Sequence, residues 1–207
     1  MAVNKDPSTA EFAPLTLEGN VIRLEPIGLE HSALFWDATK GALDDVFRWF
    51  PWSMRTMDDF RRYVDRVLSE QEAGLSVGFA TIERKSGQIV GSTRFMNIDR
   101  PNRRLEIGST WILPHWQRTA VNTEAKYLML RHAFEHWKCL RVEFKTDALN
   151  QQSRSAILRL GAKEEGTFRN HVITWSGRVR DSVYFSILNT EWPEIKLRLA
   201  NRCLREG

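Results

Sequence analysis

The residues best suited to chemistry lie at 111–123, WILPHWQRTAVNT, where an apolar run ends at Pro114 and a polar loop leads straight into a long helical pattern. The first amides of a helix have no intrahelical acceptor, and the macrodipole places about half a positive charge there, so such a junction can hold a phosphate or pyrophosphate without lysines. Arg118 adds charge beside it. Any strand-to-helix turn looks like this, so the junction alone identifies nothing. A second pattern is His132, Glu135 and His136, an H-x-x-E-H run in which two histidines on one helix face can bind zinc while the glutamate acts as base. Phe134 and Trp137 around it suit ordinary packing, and a third ligand would have to come from far away in sequence. Glu106, two residues before Gly108 in an apolar segment, can act as a base through water or be a salt-bridged carboxylate. Tyr184 can serve as an acid or as core.

These groups need a scaffold, and the chain supplies one. It has 207 residues, 42% hydrophobic and 27% charged, which excludes disorder, collagen and coiled coil as its main content and allows one sizeable core without staples. A net charge of +4 is too small to force a nucleic-acid reading and is compatible with an anionic small molecule. Cys139 and Cys203 have no paired metal or redox spacing, which suits a reducing, cytoplasmic setting, and no apolar run approaches a membrane span. Residues 1–14 read as a flexible leader, 15–192 as the domain and 193–207 as a helical tail. Within the domain the pattern predicts a bent strand over 17–26, helices over 29–47 and 56–72, and a meander of three strands at 77–83, 89–98 and 105–113. A helix over 120–137, a strand at 140–146, a helix over 151–160 capped by Asn150 and stopped by Gly161, and two strands at 162–174 and 180–188 complete it. That order describes one α/β domain with a mixed, mostly antiparallel twisted sheet flanked by helices.

Four segments in this order carry a resemblance: LEGNVIRLEPIGLEH (17–31), the strand-loop-helix above, NQQSRSAILRLGA (150–162) and RDSVYFSILNTEW (180–192). They resemble the GCN5-related N-acetyltransferases (GNAT), in the branch similar to bacterial RimJ/RimL-type ribosomal-protein N-terminal acetyltransferases. The resemblance implies a single-domain GNAT fold and acetyl-CoA as cosubstrate. Its pyrophosphate would lie on a loop patterned Gln or Arg, two residues, Gly, one residue, Gly or Ala. Here that loop is Gln117, Arg118, Thr119, Ala120, Val121 and Asn122, followed by Thr123, so both small positions have changed. Ala120 adds one methyl near the ligand, and Asn122 is the residue next most tolerant of positive φ after glycine. Loss of the cradle is the alternative outcome.

The implied reaction is direct attack of a primary amine on the thioester. An amide of the strand before the loop, at or near Leu113 among Trp111, Ile112 and Leu113, would hydrogen-bond the thioester oxygen, a contact worth roughly 3 kcal/mol in the transition state. Ser153, three residues after Asn150, matches a serine positioned in the relatives to protonate the CoA sulfur, with a local helix-cap serine as the other reading. The acceptor is a protein N-terminus or a small amine. A peptide α-amine is roughly a tenth neutral at pH 7, whereas a lysine is neutral at less than about one part in a thousand, so an α-amine asks less of a base. Trp36, Trp49 and Trp52 belong to a region that covers the acceptor end of the cleft in this fold, and Arg169 and His171 are candidates to line it. Lys126 and Arg154 could meet the CoA 3′-phosphate or face water. A protein that keeps the CoA site but transfers nothing is the main alternative, and a zinc hydrolase the remote one. Neither a membrane nor a nucleic acid is implied as a direct partner, and a homodimer is left open.

Overall fold

In the computed structural model, which describes residues 12–206, the strands form one eight-stranded sheet in the order β1-β2-β3-β4-β5-β6-β8-β7. The strands are β1 (Leu17–Glu18), β2 (Ile22–Pro26), β3 (Val77–Glu83), β4 (Ile89–Asp99), β5 (Arg104–Ile112), β6 (Arg141–Asp147), β7 (Lys163–Ile173) and β8 (Val179–Leu188). Among the described residues only β5 and β6 run parallel. The bent strand expected over 17–26 is instead a tight hairpin, with Leu17 opposite Leu24. A buried side chain makes that turn possible. Glu124 accepts the amides of Asn20, Val21 and Ile22 at 2.7–2.8 Å, which a single-strand reading could not anticipate.

Helices α1 (His31–Thr39), α2 (Leu43–Phe47) and α3 (Met57–Glu72) follow β2, and the helix expected over 29–47 is thus broken around Gly41. Thr56 and Asp59 form a reciprocal capping box at the start of α3, and Gly74 leaves it at φ +70. Helix α4 (Ala120–Arg131) continues as a π-turn through His136, α5 (Gln151–Leu160) starts on Asn150 and stops at Gly161 with φ +98, and α6 (Trp192–Glu206) closes the chain.

Two cores sandwich the sheet. One face packs Phe79, Phe95, Val142, Phe144 and Phe185 under α4, α5 and α6. The other packs Ala80, Ile82 and Trp111 under α1–α3, but only over the N-terminal half of the sheet. The helix expected at 193–204 therefore belongs to the first core, where Trp192, Ile195 and Leu199 are buried. Residues 1–11 of the expected leader lie outside the described residues, and Phe12 is packed with its ring 4.4 Å from that of Trp137.

Candidate active site

The site begins where the parallel pair fails to close. β5 and β6 are in register only from Arg104–Glu106 against Arg141–Glu143, although β5 continues to Ile112 and β6 to Asp147. The two strands diverge toward their C-terminal ends and leave an open seam. A bulge contributes, because Thr93 on β4 faces both Ser109 and Thr110, with Ser109 at φ +49. Alternation along β5 then decides which amides face the seam. The Leu113 N–H donates to the Val90 carbonyl at 2.9 Å and is spent. Its neighbour Ile112 is opposite Gly91, one residue out of phase, so the Ile112 N–H points away from β4 into the seam. The free amide thus lies one residue before Leu113. Trp111 turns its ring into the α1–α3 core, 5.3 Å from that of Phe35, and is not a lining residue.

At the mouth of the seam, Thr119 caps α4, accepting the Val121 amide at 3.3 Å and donating to the Trp116 carbonyl at 2.7 Å. The amides of Ala120 and Asn122, also in the first turn, have no intrahelical acceptor. Positive φ in this loop falls on Arg118, at +62, whereas Ala120 and Asn122 are helical. The altered small positions therefore create no backbone strain, and the tolerance of Asn for positive φ is not called on. Val121 and Thr123 are buried, contributing backbone rather than side chains. Gln117 ties the mouth together: its Nε2 donates to the Ile112 carbonyl at 3.1 Å, and its Oε1 accepts from Gln152 of α5 at 2.9 Å. This brings the start of α5 alongside that of α4. Asn150 Oδ1 takes the Ser153 amide at 3.0 Å, so Asn150 is the cap and the Ser153 hydroxyl is uncommitted among the described residues.

Lys126 and Arg154, read as meeting a phosphate or facing water, both have partners within the protein. Lys126 is buried beneath the bulge, its Nζ donating to Thr93 Oγ1 at 2.9 Å and Thr110 Oγ1 at 2.6 Å, with no carboxylate partner. Burial lowers its pKa to about 7. A neutral amine has two N–H groups, which match two acceptors. Arg154 pairs with Glu164 at 3.1 Å and reaches the Ala148 carbonyl.

On the opposite face, the second half of the sheet is uncovered by helices and polar. Glu106 on β5, Glu143, Lys145 and Asp147 on β6, and Ser182, Tyr184 and Ser186 on β8 share this face by register. Glu106 is buried, accepting from Asn97 Nδ2 at 2.9 Å with Lys145 Nζ at 3.4 Å. Tyr184 packs its ring 4.6 Å from Phe168 and 5.8 Å from His171, and Lys145 sits over it. Between Phe168 and Val172, β7 bulges outward with Asn170 at φ +50, whose amide is anchored by Asp181 Oδ1 at 2.7 Å. An open groove of about 830 Å³ results, lined by Phe168, Arg169, Asn170, His171 and Asp181. Burial, then Lys145 and Arg180, lower the His171 pKa, while Glu106 opposes them.

Sequence reasoning missed what holds this wall in place. Asp147 is fully buried, pairs with Arg178, lies 3.7 Å from Arg180 Nε and accepts the Leu149 amide at 3.0 Å. Its arginine partners are more than 30 residues away, and a buried aspartate at the end of a strand that alternates charged and apolar residues gives no local sign of them. Arg180 continues to the Trp49 carbonyl at 3.3 Å, and Trp175 donates to the Pro51 carbonyl at 2.9 Å. The loop holding Trp49 and Trp52 is thereby attached to the β7–β8 hairpin. Trp36 instead packs edge-on against Phe60 in the α1–α3 core.

The H-x-x-E-H run is occupied by packing. Glu135 accepts from Trp192 Nε1 at 2.9 Å and pairs with Lys196 at 2.8 Å, away from the histidines. His132 and His136 stack at 4.9 Å, and burial followed by the neighbouring charges of His136 and Arg131 lowers His132 to about 4. Among the described residues no cluster of three metal-ligating side chains occurs.

A parallel pair that splays beside the start of a helix, within an otherwise antiparallel sheet, is the feature that distinguishes this fold. Comparison with known proteins gives the family. Residues 22–163 match the model of the acetyltransferase (GNAT) domain, and the chain belongs to that family. It is 33% identical over 132 residues, 64% of this chain and 66% of the relative, to "Putative ribosomal N-acetyltransferase YdaF" of Bacillus subtilis (strain 168). The matched stretch thus spans just under two thirds of that relative's length. A GCN5-related N-acetyltransferase from Brucella melitensis superposes with TM-score 0.81 at 30% identity, covering 92% of this chain and 86% of that one. Mycobacterium smegmatis RimJ in complex with CoA-disulfide shares the fold, with TM-score 0.77 at 21% identity over 92% of this chain and 93% of that one.

Proposed function

We propose that the protein transfers an acetyl group from acetyl-CoA to a primary amine, with a protein N-terminal α-amine as the favoured acceptor. The observation that carries this reading is the open β5–β6 seam, with the Ile112 amide facing it beside the first turn of α4, whose leading amides lack intrahelical acceptors. Two sets of backbone donors lie along one channel, suited to a pyrophosphate at one end and a thioester oxygen at the other. Because Ala120 is helical, its methyl is the whole cost of the altered small position, and the cradle keeps its amides. That favours retained binding over loss of the site.

In this reading the amides of Ala120 and Asn122 hold the diphosphate, with Arg118 adding charge, and the Ile112 amide stabilises the oxyanion. The amine approaches from the opposite, polar face, over Glu106 and Tyr184. Nitrogen attacks the carbonyl carbon, the C–S bond breaks, and the thiolate takes a proton from Ser153 or Tyr184, whose hydroxyls have no hydrogen-bond partner among the described residues. Glu106, paired with Lys145, contributes negative potential at the base of the seam. The name of the Bacillus subtilis relative supports a ribosomal-protein terminus as acceptor. The two buried cysteines, Cys139 and Cys203, suit a cytoplasmic location.

Thiol release from acetyl-CoA, measured against N-terminal peptides, lysine peptides and polyamines, tests the reading. Turnover with peptide α-amines, above the rate with lysine side chains at pH 7, is expected. Calorimetric binding of acetyl-CoA with no turnover on any amine would move the protein to the non-transferring alternative.

A further inference from the structure

The proposed reaction lacks a base, and the carboxylate nearest the seam is poorly suited to be one. Glu106 is buried, and its carboxylate is already engaged by Asn97 and Lys145 rather than open to an incoming amine. His171 is differently placed. It stands on the β7 bulge at the rim of the groove, exposed, with neither ring nitrogen hydrogen-bonded among the described residues. The bulge aims it over the sheet rather than away from it: its ring packs edge-on against Tyr184 of β8, which pairs in register with Lys145 of β6. Glu106 of β5, at the last closed rung of the seam, is near enough to act on its charge. Bulges of this sort are over-represented next to active sites because they redirect one side chain.

We propose that His171 is the general base that removes a proton from the acceptor ammonium in the groove lined by Phe168, Arg169, Asn170 and Asp181. The inference rests on the transferase reading above. The imidazole takes one proton from R–NH₃⁺, and the freed nitrogen lone pair forms the C–N bond to the thioester carbon. As the C–S bond breaks, the nitrogen loses a second proton. One of the two protons ends on the CoA thiol and the other in solvent, so an ammonium and a thioester give an amide, a thiol and H⁺. The groups facing the imidazole are Lys145 from β6, Arg180, Asp181 and Tyr184 from β8, Glu106 from β5, and Arg169 on its own strand. With burial, Lys145 and Arg180 lower its pKa, so the ring is neutral, and able to accept a proton, at pH 7.

The test is the pH profile of kcat/KM for wild type and His171→Gln with one N-terminal peptide, alongside acetyl-CoA binding by calorimetry. The wild type should be nearly flat from about pH 6.5 to the amine pKa near 8. The variant should bind acetyl-CoA normally, fall by roughly 100-fold at pH 6.5, and recover as pH rises past the amine pKa. A weakly basic amine, already neutral at pH 6.5, should react equally with both proteins. A deficit that is absent, or equal at every pH, overturns His171 as base while leaving the transferase reading intact. A wild type that transfers to no amine overturns the reading itself, and the proposal with it.

Discussion

The two sides of the seam are built from different materials. The side proposed for the cofactor is made of backbone: the Ile112 amide, the first turn of α4 and a cap supplied by Thr119. The acceptor side is made of side chains, with Glu106, Lys145, Tyr184 and His171 held between an aspartate and two arginines. Backbone donors depend on fold and capping, so that side tolerates changed residues such as Ala120 and Asn122. The side-chain wall has no such reserve. Charged groups also play opposite parts on the two sides: Asp147 is satisfied by several partners, whereas Lys126 under the cofactor side has no counter-charge.

The contrast can be broken from either side. Asp147→Ala should have the larger effect, because it leaves Arg180 buried without a counter-charge, at a cost of about 3–5 kcal/mol. Urea unfolding should show that loss, and acceptor KM should rise more than acetyl-CoA Kd as the hairpin loosens. Lys126→Met should do the reverse and stabilise. The lysine pKa falls from 10.5 in the unfolded chain to about 7 in the fold. Between those values the unfolded state holds a proton that the native state has lost, so wild-type stability rises with pH from about 7 to 10.5 and its full cost persists below 7. Thr93 and Thr110 keep each other at 2.8 Å when the amine is gone. Set against about two lost hydrogen bonds, the net gain at pH 7 is on the order of 2 kcal/mol, shrinking toward pH 10, as urea midpoints across that range would show. A destabilised variant at pH 7 would instead mean that the lysine is needed to join α4 to the bulge.

This division explains what the sequence could convey. Helices α3 and α5 were legible because their ends are local: Thr56, Asn150, Gly74 and Gly161 cap or stop them through contacts within a few residues, whereas the break between α1 and α2 was not. The strand-loop-helix junction was legible for the same reason. Register was not. A single bulge at Ser109 and Thr110 decides that Ile112, rather than Leu113, faces the seam, and no local pattern marks it. Distance in sequence hid the rest. Glu124 reaches back more than 100 residues to shape the β1–β2 turn, and Asp147 meets arginines on a hairpin two elements later. The tryptophans were legible as an aromatic cluster, yet it takes contacts across the chain, the hydrogen bonds from Arg180 to Trp49 and from Trp175 to Pro51 and the Arg178 guanidinium over the Trp49 ring, to join their loop to the acceptor wall.

Amide hydrogen exchange of the full chain, with and without CoA, tests the backbone-built cofactor side most directly. Slowed exchange at Ile112, Ala120 and Asn122, with the β7–β8 hairpin unchanged, is the expected result. Protection confined to the hairpin, or none anywhere at saturating CoA, would contradict the account.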